Sequence, residues 1–189
     1  MESEQWAQFA EDFGQCQDAQ KLSELLNTDY MGINQAEEGL MQREEARQRS
    51  IEIVQAAGFD LEQMPYVSLG SKGGWNGWEV RVSQIPGDEQ RTPGVMLDLA
   101  NDGAVRYMEY LGEPTEAAIG AAISEQRAQE IALAFMTQYV DAEGEAACTA
   151  QAEDSHWKVT FEGQADQQPC EVWIDNQTGA VLLVETFTR

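Results

Sequence analysis

Between Met41 and Ala57 the apolar positions recur at helical spacing. Ala46, Ser50, Val54 and Ala57 share a stripe with Ile51 and Ile53 beside it, while Arg43, Glu44, Glu45, Arg47 and Glu52 occupy the polar side. Gly58 is placed to cap that helix. The period then changes to two. A short strand at Tyr66–Leu69 is followed by Trp78, Val80 and Val82 alternating with Glu79, Arg81 and Ser83, a half-buried strand with one wet face. Val95, Leu97 and Leu99 alternate with Met96 and Asp98. After an Asn101-Asp102-Gly103 turn, Val105 and Tyr107 carry the inward pattern on to about Leu111.

The same succession occurs again. Ser124 is a good helix cap, and Ala128, Ile131, Ala132, Phe135 and Tyr139 form the strongest helical stripe in the chain. A strand is expected at 146–152. Trp157, Val159 and Phe161 give the inward face of the next, then Val172 with Ile174, and Val181 with Leu183. Each half thus reads as a helix followed by an antiparallel meander, with a Trp-led strand and a final hairpin at Asp102-Gly103-Ala104-Val105 or Thr178-Gly179-Ala180-Val181. Asp98 precedes Gly103 by five positions and Asp175 precedes Gly179 by four, so one hairpin is expected to hold an extra residue as a bulge. Gly112-Glu113-Pro114 reads as the boundary. The predicted organisation is α+β: residues 1–40 as a helical N-terminal extension, 41–113 as a first repeat and 114–189 as a second, each repeat a helix on a three- or four-stranded antiparallel sheet. In the extension, Trp6, Phe9, Ala10 and Phe13 mark one amphipathic helix and Leu22, Leu25 and Leu26 a second, with a polar connector from Asn27 to Gly39.

The chain has 189 residues and a net charge of −23 at pH 7. That charge argues against nucleic acid and anionic membrane surfaces, both of which select clustered Lys and Arg. It leaves a basic protein partner, a bound cation, or plain solubility as readings. No apolar run approaches the roughly 20 residues of a membrane span. Met1-Glu2-Ser3-Glu4-Gln5 lacks the features of a signal peptide. Of the three cysteines, Cys148 and Cys170 fall on predicted strands of one sheet. Either they form a disulfide in an oxidising compartment or all three, Cys16 included, are buried thiols.

Little of the residue chemistry points to catalysis. His156 is the only histidine, with no local partner for a nucleophile. Gly70-Ser71-Lys72-Gly73-Gly74 reads as a turn rather than a phosphate loop, and Asp141-Ala142-Glu143-Gly144-Glu145 as a solvated loop rather than a calcium site. Asn176-Gln177-Thr178 fits a glycosylation sequon but suits turn chemistry. No catalytic, cofactor-binding or metal-binding residue is assigned, and an enzyme is not expected. The candidate protein-binding residues are Trp75, Met96, Met108, Tyr110 and Trp173, aromatic or Met side chains read as lying off the inward faces. The other reading has those faces cover one another where the two repeats meet, or lie under the N-terminal helices.

Together the Glu44-Glu45-Ala46 and Arg127-Ala128-Gln129-Glu130-Ile131-Ala132 helices, the Trp-x-Val-x-Val/Phe strands and the Asp175-Asn176-Gln177-Thr178-Gly179-Ala180-Val181 hairpin resemble a PepSY or YpeB-like domain present twice, over residues 43–112 and 124–187. The resemblance implies cystatin-like or β-lactamase-inhibitor-like units. It implies a non-enzymatic, exported binding or regulatory role toward a peptidase or cell-envelope protein. The alternative is a sensor or spacer domain of a larger membrane-anchored envelope protein. It brings no catalytic residues, and it implies a secreted or envelope location with a signal or anchor outside this sequence.

Overall fold

Helix α1, Arg43–Ala56, buries Ala46, Ser50, Ile53 and Val54 and stops by a mechanism visible in its backbone. The Gly58 N–H bonds to the Gln55 carbonyl and the Phe59 N–H to that of Val54, the paired arrangement of a Schellman cap. Gly58 sits at φ 95°, a conformation that strains any residue with a Cβ. Helix α2, Glu125–Tyr139, starts at Ser124, whose hydroxyl accepts the Arg127 N–H. It buries Ala128, Ala132, Phe135, Met136 and Tyr139.

The eight strands among the described residues are β1 (Tyr66–Ser71), β2 (Gly77–Ser83), β3 (Gly94–Ala100), β4 (Val105–Tyr110), β5 (Cys148–Ala152), β6 (His156–Phe161), β7 (Cys170–Asp175) and β8 (Val181–Glu185). This computed structural model describes Gly14 and residues 41–71, 77–85, 93–112, 122–140, 147–162 and 169–186. The helices expected within 1–40, Trp75, Cys16 and the 141–145 loop lie outside them. All strands belong to one antiparallel sheet in the order β1-β2-β3-β4-β8-β7-β6-β5. The fold is mixed helix and sheet, and the two meanders join edge to edge through β4 and β8.

One row of side chains crosses every strand. Cross-strand pairing links Leu69, Val80, Leu97, Met108, Val184, Val172, Val159 and Ala150 in succession. All but Ala150 are buried. Cross-strand neighbours share a face, so this row and its parallels form a single apolar floor. Helix α1 lies on it over β1–β3 and α2 over β5–β7, and their buried side chains join one core. Burying a large aliphatic side chain contributes about 1.5–3 kcal/mol, and Leu97, Met108 and Ile174 are among the largest fully buried ones.

Two contacts recur at matching places. The Trp78 indole N–H donates to the Met41 carbonyl, 3.0 Å away, and that of Trp157 to the Ile123 carbonyl at 3.2 Å. Met41 and Ile123 each stand immediately before the N-cap residue of their helix, Gln42 and Ser124. Each Trp therefore ties its strand to the entry of the helix above it. The helices also meet: the Arg49 guanidinium lies over the Tyr139 ring, 4.9 Å from its centroid, and donates to the Gln138 carbonyl.

The hairpins correct the expected register. A shift occurs in both, between Asp98 and Leu99 on β3 and between Trp173 and Ile174 on β7. Arg106 and Leu182 are the extra residues, each one position past the inward Val105 or Val181. The difference in length lies in the turns. Ala100 bonds Ala104 across three residues, while Asp175 bonds Ala180 across four. Asp175 therefore occupies the place of Ala100, not that of Asp98.

Candidate functional site

Each bulge reverses the alternation after it. Past Arg106, Tyr107 turns to the sheet face that no helix among the described residues covers, called the helix-free face below, and Met108 and Tyr110 turn to the core. This corrects the placement of two candidate binding residues. Met108 is fully buried opposite Leu97 and Val184. Tyr110 stacks on Phe59, which follows the C-terminal end of α1, centroids 4.8 Å apart, and burial raises its phenol pKa. Past Leu182, Leu183 turns outward and Val184 inward, again the reverse of simple alternation. Met96 and Trp173 do lie on the helix-free face. Trp75 is outside the described residues.

Cys148 and Cys170 form no disulfide. The disulfide expectation fails on topology. Cys148 pairs with Phe161 from one side and Cys170 from the other, so β6 separates them. Two strand spacings come to about 9.6 Å, beyond the ~7 Å over which a disulfide can form. Burial raises the Cys148 pKa, which keeps its thiol protonated and a poor nucleophile near neutrality.

The helix-free face carries a second row, running through Ser68, Arg81, Met96, Glu109, Leu183, Trp173, Lys158 and Gln151. Beside it runs Gly70, Glu79, Asp98, Tyr107, Glu185, Glu171, Thr160 and Thr149. Met96, Leu183 and Trp173 are half-buried there. Glu109 lies between Met96 and Leu183, and Glu79, Asp98, Glu185 and Glu171 line one side in the neighbouring row. Tyr107 donates a 2.7 Å hydrogen bond to Glu109. Burial, that bond, and the charges of Glu109, Glu185 and Asp98 hold its pKa far above the usual phenol value. Lys158 is neutralised by Glu171 at 2.7 Å. The face is acidic along one side of the row, and within the row Arg81 pairs across from Met96.

His156 completes this face. Its ring stacks on Trp173 with centroids 4.5 Å apart. Burial lowers its pKa, opposed by the charges of Glu153 and Asp175, with Lys158 adding to the decrease. The Trp173 indole N–H is buried and has no partner among the described residues. Neither His156 nor Leu183 is singled out as a binding residue by sequence. The two-residue period of β6 contained the signal for His156, since it shares a face with Lys158. Leu183 became visible only with the bulge.

A shallow cavity of about 200 Å³ lies elsewhere, lined by Phe59, Asp60, Gln63, Met64, Pro93 and Tyr110. Asp60 there accepts from the Glu62 N–H and the Gln63 amide. Among the described residues no three His, Cys, Asp or Glu side chains are grouped to hold a metal ion. None of their helices is long and apolar enough to cross a membrane. Compared with protein-family models, curated proteins and solved structures, the chain matches none.

Proposed function

We propose that this protein is a non-enzymatic binding or regulatory module that engages a protein partner through the helix-free sheet face. The observation that carries this reading is the contiguous run of Leu183, Trp173 and His156, with Met96 one strand beyond Glu109 and a row of carboxylates along one side. Binding surfaces typically combine a buried aromatic anchor with polar surroundings, and the row of carboxylates favours a basic partner. In this reading the chain is two PepSY-like units of one helix and four strands each. The matching Trp78 and Trp157 hydrogen bonds support that equivalence, as do the bulges at Arg106 and Leu182. The role proposed on the resemblance is extracytoplasmic, toward a peptidase or an envelope protein.

The test is affinity capture from the secreted and envelope fractions of the source organism, with wild type and Trp173→Ala as paired baits at moderate and high salt. The proposal expects a peptidase recovered by wild type only, its activity lowered by added protein. Envelope components without a peptidase would replace inhibition with a sensor or spacer role. Equal recovery by both baits contradicts the use of this face.

A further inference from the structure

We propose that β5 is a docking edge for an extended, positively charged peptide segment, which adds to the sheet as a ninth strand. This concerns the sheet's edge, not its helix-free face, so it stands or falls independently of the reading above.

Among the described residues strand β5 ends the sheet, with β6 its only neighbour there. The Ala147 carbonyl accepts the Glu162 N–H, and the Glu153 N–H donates to the His156 carbonyl. In an antiparallel pair such bonds fall on alternate residues. Positions 147, 149, 151 and 153 therefore face β6, and Cys148, Ala150 and Ala152 aim their N–H and C=O groups away from the sheet. Thr149, Gln151 and Ala152 are exposed. Natural edges are usually guarded by charge, proline or a cover. Strand β5, Cys-Thr-Ala-Gln-Ala, has neither charge nor proline. The opposite edge differs, since Pro65 precedes β1 and Val67 and Leu69 are buried there.

Two further features describe the occupant. Leu133 on α2 is one of two large apolar side chains left exposed among the described residues, at 40%. Ile131 of the same helix points toward Gly179, in the turn between β7 and β8. Two positions on, helical geometry turns Leu133 to the opposite flank, above β5. An added strand would place alternate side chains under it, which calls for apolar residues at every second position. Charge sets the other positions. Exposed Glu153 and Asp154 follow one end of β5, and exposed Glu162 lies across from its other end. The nearby Lys158 is already paired with Glu171. A second copy of this chain would bring a further −23 charges to the same edge, so the complementary occupant is cationic.

The probe is a capped nine-residue peptide alternating Lys and Val, compared with its Glu-Val counterpart. Binding is followed by fluorescence anisotropy and by amide exchange of the full chain. The proposal expects the Lys peptide to bind and to slow exchange at Cys148, Ala150 and Ala152. Ala150→Pro removes one outward N–H, a change edge strands tolerate, and should weaken binding at least tenfold with the melting curve retained. Leu133→Glu, on an exposed site, should leave the fold intact. It adds negative charge but removes the apolar contact, so a weakening several-fold at high salt is expected. The proposal is overturned if binding survives both substitutions, as diffuse electrostatic attraction would, or if the Glu peptide binds equally. It is also overturned if neither peptide binds, or if β5 is protected in the free protein by a dimer that Ala150→Pro dissolves.

Discussion

Single side chains here hold backbone segments that would otherwise be left unsatisfied. Asp175, almost fully buried, accepts from the Gln177 N–H, the Thr178 N–H and the Thr178 hydroxyl. Asp175→Ala leaves those donors without an acceptor and should lower stability by about 2–4 kcal/mol, read as a fall in urea midpoint. The three Trp residues among the described residues divide by partner. Trp78→Phe and Trp157→Phe each remove a hydrogen bond to a helix-entry carbonyl, whereas Trp173→Phe removes a buried N–H with no partner among the described residues. The first two should cost about 2 kcal/mol each and the third appreciably less, as thermal unfolding would register. His156 sets a pH dependence of known sign. Its folded pKa is below the ordinary 6.5, because burial disfavours the charged ring. The unfolded chain therefore binds the proton first as pH falls. The stability contribution is complete above pH 6.5 and is lost as pH falls from there toward the folded pKa. Replacing His156 with Gln should remove that segment of the stability–pH curve, and an unchanged slope would show that His156 is not its source.

At the scale of elements, the helices and strands were legible because their apolar periods are clean. The stripe of Ala128, Ala132, Phe135 and Tyr139 is buried as its spacing requires, and Ser124 caps it. Gly58 ends α1 as expected, and its added role appears only in three dimensions. A Cβ there would stand 3.3 Å from the Ala180 Cα. Gly58→Ala thus meets both a left-handed backbone and a crowded neighbour, and should destabilise by more than about 1 kcal/mol. The bulges were the illegible part. A period of two says nothing about where one residue is skipped, and each skip exchanges the faces of everything beyond it. That is why Met108 and Tyr110 read as surface and prove to belong to the core, while Leu183 does the opposite. The difference of one residue between the hairpins was visible in sequence, but its place in the turn was not. Pairing of β4 with β8 had no local signal either, since edge-to-edge joining depends on backbone groups common to all residues.

Over the whole molecule, the two meanders share one floor because Met108 and Val184 meet across the β4–β8 joint. Met108→Ala should cost about 2–5 kcal/mol, and unfolding followed by near-UV and far-UV signals should give coincident transitions, since the core is common to both halves. The two described helices lie on that floor, and the proposed partner would meet the opposite face. All of this depends on the joint being formed. Arg106 accepts the Thr186 N–H across it, which makes Tyr107–Glu185 and Glu109–Leu183 the pairs without mutual hydrogen bonds, where opposed Hα atoms come closest. The most direct test is a search for those two Hα–Hα nuclear Overhauser contacts in solution. A single continuous sheet predicts both, together with contacts of the same kind within each meander. Contacts within the meanders but none between β4 and β8 would contradict it and leave two separate sheets with two smaller faces.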